Sequence, residues 1–252
     1  MIFFYQRKLM YPLSNVSTTE WEMPSPLPDG IEKIMYGQNY SLFLSAATHP
    51  NDARPVLMVI HGNRETAFLW SGAVDPILQA GISVLLVEYP GYAGAGGAPS
   101  YASMKATVLE SYDAIASRSD VNTDFIMAYG RSMGGAVATL VAKHRPIVAL
   151  GLESTFASMR QLAVEKRFPG FLLRDCYENA TIVSQLDIPI FVYHGTEDRL
   201  IPIHHGLALA KAAKNATLIT RHHDHSNGPR PWIDFLAFIE AQTPIQIRQS
   251  VS

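Results

Sequence analysis

From residue 31 onward the chain alternates short apolar runs with stretches of mixed polarity. The runs are P-V-L-M-V-I-H-G (55–62), I-S-V-L-L-V-E-Y-P (82–90), D-F-I-M-A-Y-G (124–130), P-I-V-A-L-G-L-E-S (146–154), I-P-I-F-V-Y-H-G (188–195) and A-T-L-I-T-R-H (216–222). Most are continuous in Val, Ile and Leu and lack the alternation of a half-exposed strand, which is the pattern of strands covered on both faces in a parallel sheet. Between them, 101–118, 133–144, 206–214 and 232–241 predict helices, the second of them stopped by Pro146. Two earlier runs, I-E-K-I-M-Y-G (31–37) and Y-S-L-F-L-S-A-A (40–47), flank Gln38 and Asn39 and predict a hairpin, hence an antiparallel edge. Segment 14–30, rich in Pro, Ser and Thr, predicts a surface connection, and the apolar start M-I-F-F-Y (1–5) an edge strand or strand-like arm. Alternating strands and helices predict a doubly wound α/β fold, with a mostly parallel central sheet of about eight strands and helices on both faces.

A chain of 252 residues suits one large domain, and we expect residues 1–252 to form one. At that length a substantial core forms without disulfide or metal staples. The formal net charge of −2 gives no electrostatic case for nucleic acid or an anionic membrane as partner. The lone cysteine, Cys176, excludes an internal disulfide. At the start, Arg7 and Lys8 follow the short apolar run, the reverse of a secretory signal. No window approaches the roughly 20 apolar residues of a membrane span. The expectation is a cytoplasmic protein without a membrane span.

One octapeptide stands out against this background: A-Y-G-R-S-M-G-G (128–135), at the junction of an apolar strand and a small-residue helix. Its G-x-S-x-G core, residues 130–134, is the pattern of a sharp strand-to-helix turn that lifts a serine hydroxyl above the sheet, with glycines where side chains would strike the backbone. Ser132 is therefore a candidate nucleophile. A serine needs a base, and the base an orienting carboxylate; strand-turn-helix nucleophiles of this kind order them Ser, then Asp or Glu, then His. Asp198 follows the run ending at Gly195, at the same sheet end as Ser132, while its neighbour Glu197 is expected to point elsewhere. His222, His223 and His225 all follow the last strand; His225, furthest into the loop, is best placed to swing over the sheet, with the other two as alternatives. Three clustered histidines also raise a metal reading, but no further ligand is spaced nearby. An oxyanion needs two backbone N–H donors: Met133, directly after the serine, and Asn63, in the loop after the third strand. His61 and His194 sit at strand ends and suit loop-holding hydrogen bonds.

Taken together and in order, Q-R-K-L-M-Y-P (6–12), H-G-N (61–63), E-Y-P-G-Y (88–92), G-G-A-P-S (96–100), G-R-S-M-G-G (130–135), E-S-T-F (153–156), H-G-T-E-D-R-L-I-P (194–202) and H-S-N (225–227) resemble the α/β-hydrolase superfamily of serine hydrolases, and more narrowly its bud-emergence-type, depalmitoylase-like branch. The resemblance implies the α/β-hydrolase fold, with Ser132 as nucleophile, Asp198 as orienting acid and His225 as base. It favours His225 because the family histidine precedes a small residue and then Asn or Asp, here Ser226-Asn227.

The expected activity is hydrolysis of carboxylic esters with short to medium acyl chains, through an acyl-enzyme and with no metal or organic cofactor, the partner being a small-molecule ester. A thioesterase acting on acyl-protein or acyl-CoA is the alternative enzyme, and a non-catalytic binding or scaffold protein of the same fold the alternative of another class. Segment 155–187 is expected to form a short inserted cap, with F-P-G-F-L-L (168–173) as a candidate pocket wall.

Overall fold

Each apolar run becomes a strand of one sheet in the computed structural model, which describes residues 2–14, 23–46 and 53–245, with the side chains of 2–5 excepted. The strands are β1 (Ile31–Tyr36), β2 (Asn39–Leu44), β3 (Arg54–Ile60), β4 (Ser83–Val87), β5 (Val121–Arg131), β6 (Leu150–Glu153), β7 (Ile190–Gly195) and β8 (Ala216–Arg221). Their order across the sheet is β1-β2-β4-β3-β5-β6-β7-β8. The hairpin β1–β2 is antiparallel, as is β2 against β4, and every later pairing is parallel. The central strand β3 shows why these runs carry no polar alternation: Val56, Met58 and Ile60 enter one core, and Leu57 and Val59 the other.

The helices are α1 (Ile2–Met10), α2 (Asp75–Gln79), α3 (Tyr101–Ala116), α4 (Met133–His144), α5 (Met159–Glu165), α6 (Asn179–Val183), α7 (His204–Ala212) and α8 (Trp232–Gln242). Residues of α3, α4, α6 and α7 fill the core on one face; α2, α8 and the 3₁₀ turn Phe68–Val74 fill the core on the other. Segment 155–187, between β6 and β7, carries α5, a 3₁₀ turn at Gly170–Leu172, and α6. No helix among the described residues is long and apolar enough to cross a membrane.

The start of the chain departs from expectation: it is helix α1, not an edge strand. Its partners are distant in sequence. Gln6 donates to the Leu172 carbonyl at 3.2 Å and accepts from Arg174 N–H at 2.8 Å. Arg7 forks onto both oxygens of the buried Asp175 at 2.7 and 3.0 Å. Tyr11 and Tyr177 share a hydroxyl hydrogen bond of 2.9 Å. Tertiary anchoring to 172–177 overrides the aromatic, strand-like look of the first residues. Part of the 14–30 connection and Ala47 lie outside the described residues.

Candidate active site

Strand β5 ends at Arg131 and α4 begins at Met133, leaving Ser132 alone in the turn with φ 55° and ψ −120°. That conformation is costly for a residue with a Cβ and persists only where its surroundings fix it. Here Ser132 N–H donates to the Glu153 carbonyl at 2.8 Å, and its own carbonyl accepts from the Thr155 hydroxyl at 2.6 Å. The flanking glycines are required by contact. A Cβ on Gly130 would overlap the carbonyl oxygen of Gly134, and one on Gly134 would overlap that of Ile60.

Three of the residues singled out in the sequence meet at this turn. His225 Nε2 lies 3.1 Å from Ser132 Oγ, and His225 Nδ1 lies 2.7 Å from Asp198 Oδ2. With a carboxylate facing Nδ1, the proton belongs there, and Nε2 is free to accept from the hydroxyl. Asp198 sits in the loop after β7, its other oxygen accepting from the N–H groups of Leu200 and Ile201 at 2.9 and 2.8 Å. Burial pushes its carboxyl upward, but the hydrogen bond and charge of His225, with the Ile201 N–H, outweigh burial and hold it below the usual carboxylate range. Asp224 shapes the loop that carries His225, accepting from the N–H groups of Ser226 and Asn227, each at 2.8 Å.

The alternative histidines lie elsewhere. His223 stacks on Tyr193 with ring centroids 5.3 Å apart and donates from Nδ1 to the Asp224 carbonyl at 2.7 Å. His222 is exposed and lies 3.8 Å from Glu197. The strand-end histidines hold loops. His61 bridges the Gly62 carbonyl at 2.8 Å and Glu88 at 2.9 Å; burial opposes its charge, and Glu88 overcomes burial to raise its pKa. His194 donates to the Ile201 carbonyl at 2.8 Å, and burial lowers its pKa, which keeps the ring neutral beneath Asp198.

Asn63 and Met133 line the same cavity as Ser132. Neither backbone N–H has an acceptor among the described residues. The Asn63 peptide is braced on both sides: its side-chain amide donates to the Met10 carbonyl at 2.8 Å, and its carbonyl accepts from the Tyr92 hydroxyl at 2.9 Å. The cavity is about 480 Å³, walled mainly by Met133, Phe156, Met159, Leu162, Phe168 and Leu173, with Leu9 and Met10 of α1 closing one side. The candidate wall at 168–173 thus contributes Phe168 and Leu173, while Phe171 faces outward, 79% exposed.

Two groups of polar residues escaped the sequence reading. Beneath the turn, Arg131 and Arg230 pair with Glu65 and Glu153 in a mostly buried cluster that no fixed spacing announces. Where the cap meets α7, Glu165, His204 and His205 bring their ligand atoms within 4.8 Å of one another. His205 Nδ1 accepts from Ala157 N–H at 3.3 Å, which fixes its proton on Nε2 facing Glu165; that nitrogen is then a donor rather than a metal ligand.

No family model matches the chain. An uncharacterized protein of Mycobacterium tuberculosis is 28% identical over 213 residues, which cover 80% of this chain and 73% of that one. The α/β hydrolase domain-containing protein WAV2 of Arabidopsis thaliana is 28% identical over 190 residues, covering 64% and 62%. Among solved structures, the thermophilic esterase Est2 of Thermogutta terrifontis superposes with a TM-score of 0.65 at 16% identity, covering 87% of this chain and 92% of its own, a likeness of fold. With an eight-stranded, mostly parallel sheet and helices on both faces, the chain has the α/β-hydrolase fold, and it is similar in sequence to proteins named for α/β-hydrolase domains.

Proposed function

We propose that the protein is a serine esterase, a single catalytic domain over residues 1–252 whose segment 155–187 roofs the acyl site. One observation carries the reading: the hydrogen-bonded line Asp198–His225–Ser132 ends at the edge of an apolar cavity. His225 takes the proton from Ser132 as its Oγ attacks the ester carbonyl. The N–H groups of Asn63 and Met133 receive the charge that develops on the carbonyl oxygen. His225 then protonates the leaving alcohol, and water repeats the sequence on the acyl-enzyme. The buried Asp198 stabilises the imidazolium formed at each step. Fold neighbours named as esterases support the same class. The apolar walls beside Ser132 suit an acyl chain; Arg64, Glu65 and Ser226 line the more polar space on its other side, which suits the alcohol.

A fluorophosphonate probe is expected to label the folded protein at Ser132. Hydrolysis of p-nitrophenyl esters is expected to fall about 10⁶-fold in kcat for Ser132→Ala, with a similar loss for His225→Ala. Folded protein that resists the probe and turns over no ester would instead be a non-catalytic member of the fold. Faster turnover of acyl thioesters than of matched esters would move the assignment to a thioesterase.

A further inference from the structure

Arg131, the residue before the candidate nucleophile, is buried and reaches the loops on both sides of it. Its Nη1 donates to Glu65 Oε1 at 2.7 Å, its Nη2 donates to the backbone carbonyl of His225, and its Nε lies 3.3 Å from Glu153 Oε1. Glu65 turns its second oxygen the other way, accepting from Gly62 N–H at 2.6 Å and from the Trp70 indole at 3.1 Å. Gly62 immediately precedes Asn63. An unbroken hydrogen-bonded line therefore runs from the backbone beside Asn63, through Glu65 and Arg131, to the backbone of His225. Residue 62 is small for the same reason: a Cβ there would lie 3.0 Å from Glu65 Oε2 and 3.3 Å from Arg131 Nη1.

Arg230 completes the cluster. It donates to Glu153 at 2.6 Å and to Glu65 at 3.3 Å, with its guanidinium 4.2 Å above the Trp70 ring. Two guanidiniums face two carboxylates, so the group is sequestered without net charge. Burial pushes the Glu65 carboxyl upward, and Arg131, Arg230 and the Gly62 N–H together bring it below its ordinary value. Arg230, however, touches neither His225 nor the backbone at 62–63 among the hydrogen bonds of the described residues. Arg230 ties its own loop, five residues past His225, to Glu65; of the two arginines it is Arg131 that bonds Glu65 and the backbone of His225 itself.

We propose that Arg131 is a positioning residue for the hydrolysis: by bridging Glu65 and the His225 carbonyl, it sets the distance between the oxyanion donor at Asn63 and the base at His225, on either side of Ser132. The inference rests on the catalytic reading above. Its leverage comes from geometry, since a misplacement of about 1 Å among reacting groups costs about 10²-fold in rate. A lysine keeps the charge but presents its donors from one nitrogen, whereas the guanidinium addresses three acceptors from a plane.

The test compares Arg131→Lys with Arg230→Lys, reading kcat, KM, the rate of fluorophosphonate labelling at Ser132, and thermal stability. Arg131→Lys is expected to lose 10- to 100-fold in kcat and in labelling rate, with KM within about threefold of wild type. Arg230→Lys, which disturbs the same carboxylates, is expected to lower stability comparably while kcat falls less than threefold. Glu65→Gln guards against misfolding of the first variant. Its amide nitrogen must face either the Gly62 N–H or the Arg131 guanidinium, so one link breaks, and kcat is expected to fall at least tenfold. Wild-type kcat and labelling in folded Arg131→Lys or Glu65→Gln would overturn the proposal, as would equal kcat losses in the two arginine variants. A wild-type protein that the probe does not label would overturn the catalytic reading itself, a separate result.

Discussion

At Ser132, backbone conformation and the absence of neighbouring side chains are one problem. The turn brings residue 130 against 134 and residue 134 against the end of β3, so neither position tolerates a methyl group. Gly134→Ala is expected to destabilise the protein by about 3 kcal/mol and to abolish labelling, measured by urea denaturation alongside the probe reaction. The conformation also makes an ordering prediction. Because φ 55° with ψ −120° penalises any Cβ, Ser132→Gly is expected to exceed Ser132→Ala in stability by about 1 kcal/mol, both being inactive. The reverse order in urea would mean that the turn holds no strain. Ser132, Asp198 and His225 could be singled out in the sequence because each follows a strand running to the same sheet end, in a fixed chain order; His225 was separated from His222 and His223 by its place in the loop and by Ser226-Asn227 after it. The Arg131 cluster was not legible. Its members are 66 and 77 positions apart, and nothing in their spacing marks charges destined for burial together.

At the scale of elements, the strands were legible for a reason that β3 makes plain: burial on both faces erases polar alternation. Helix α3 was legible too, and its start is specific. Ser100 accepts from Ser103 N–H at 3.1 Å, and the Ser103 hydroxyl accepts from Ser100 N–H at 2.9 Å, a reciprocal cap. Ser100→Ala is expected to cost about 1 kcal/mol, read from the denaturation midpoint at unchanged slope. Helix α1 was misread because its partners, near residue 175, are more than a hundred positions away, beyond any local pattern. Helix α5 bears on specificity, since Leu162 lines the cavity wall. Leu162→Trp is expected to reduce kcat/KM for long acyl esters about tenfold relative to short ones, across a panel of increasing chain length.

Over the whole molecule, a central sheet with one core on each face carries loops from β3, β5, β7 and β8 to a common end, and the candidate residues travel on those loops. The acid stability of this assembly has a definite sign. Asp198 and Glu65 have folded pKa values below their unfolded ones. The stability they lend is therefore complete above the ordinary carboxylate range, near pH 4, and is lost as pH falls through their lowered folded values. Thermal midpoints are expected to drop steeply below about pH 4, with a shallower drop in Asp198→Asn, where that carboxylate no longer titrates. An equally steep drop in the variant would assign the acid sensitivity to other groups.

The hydrogen bond from the Asn63 amide to the carbonyl of Met10 has a practical consequence. Under the proposed mechanism it gives the first helix a share in turnover although that helix supplies no reacting group. Asn63→Ala would cut that tie while leaving every strand and helix in place. By the same mechanism that variant would turn over slowly, because the peptide that donates to the developing oxyanion would have lost a brace.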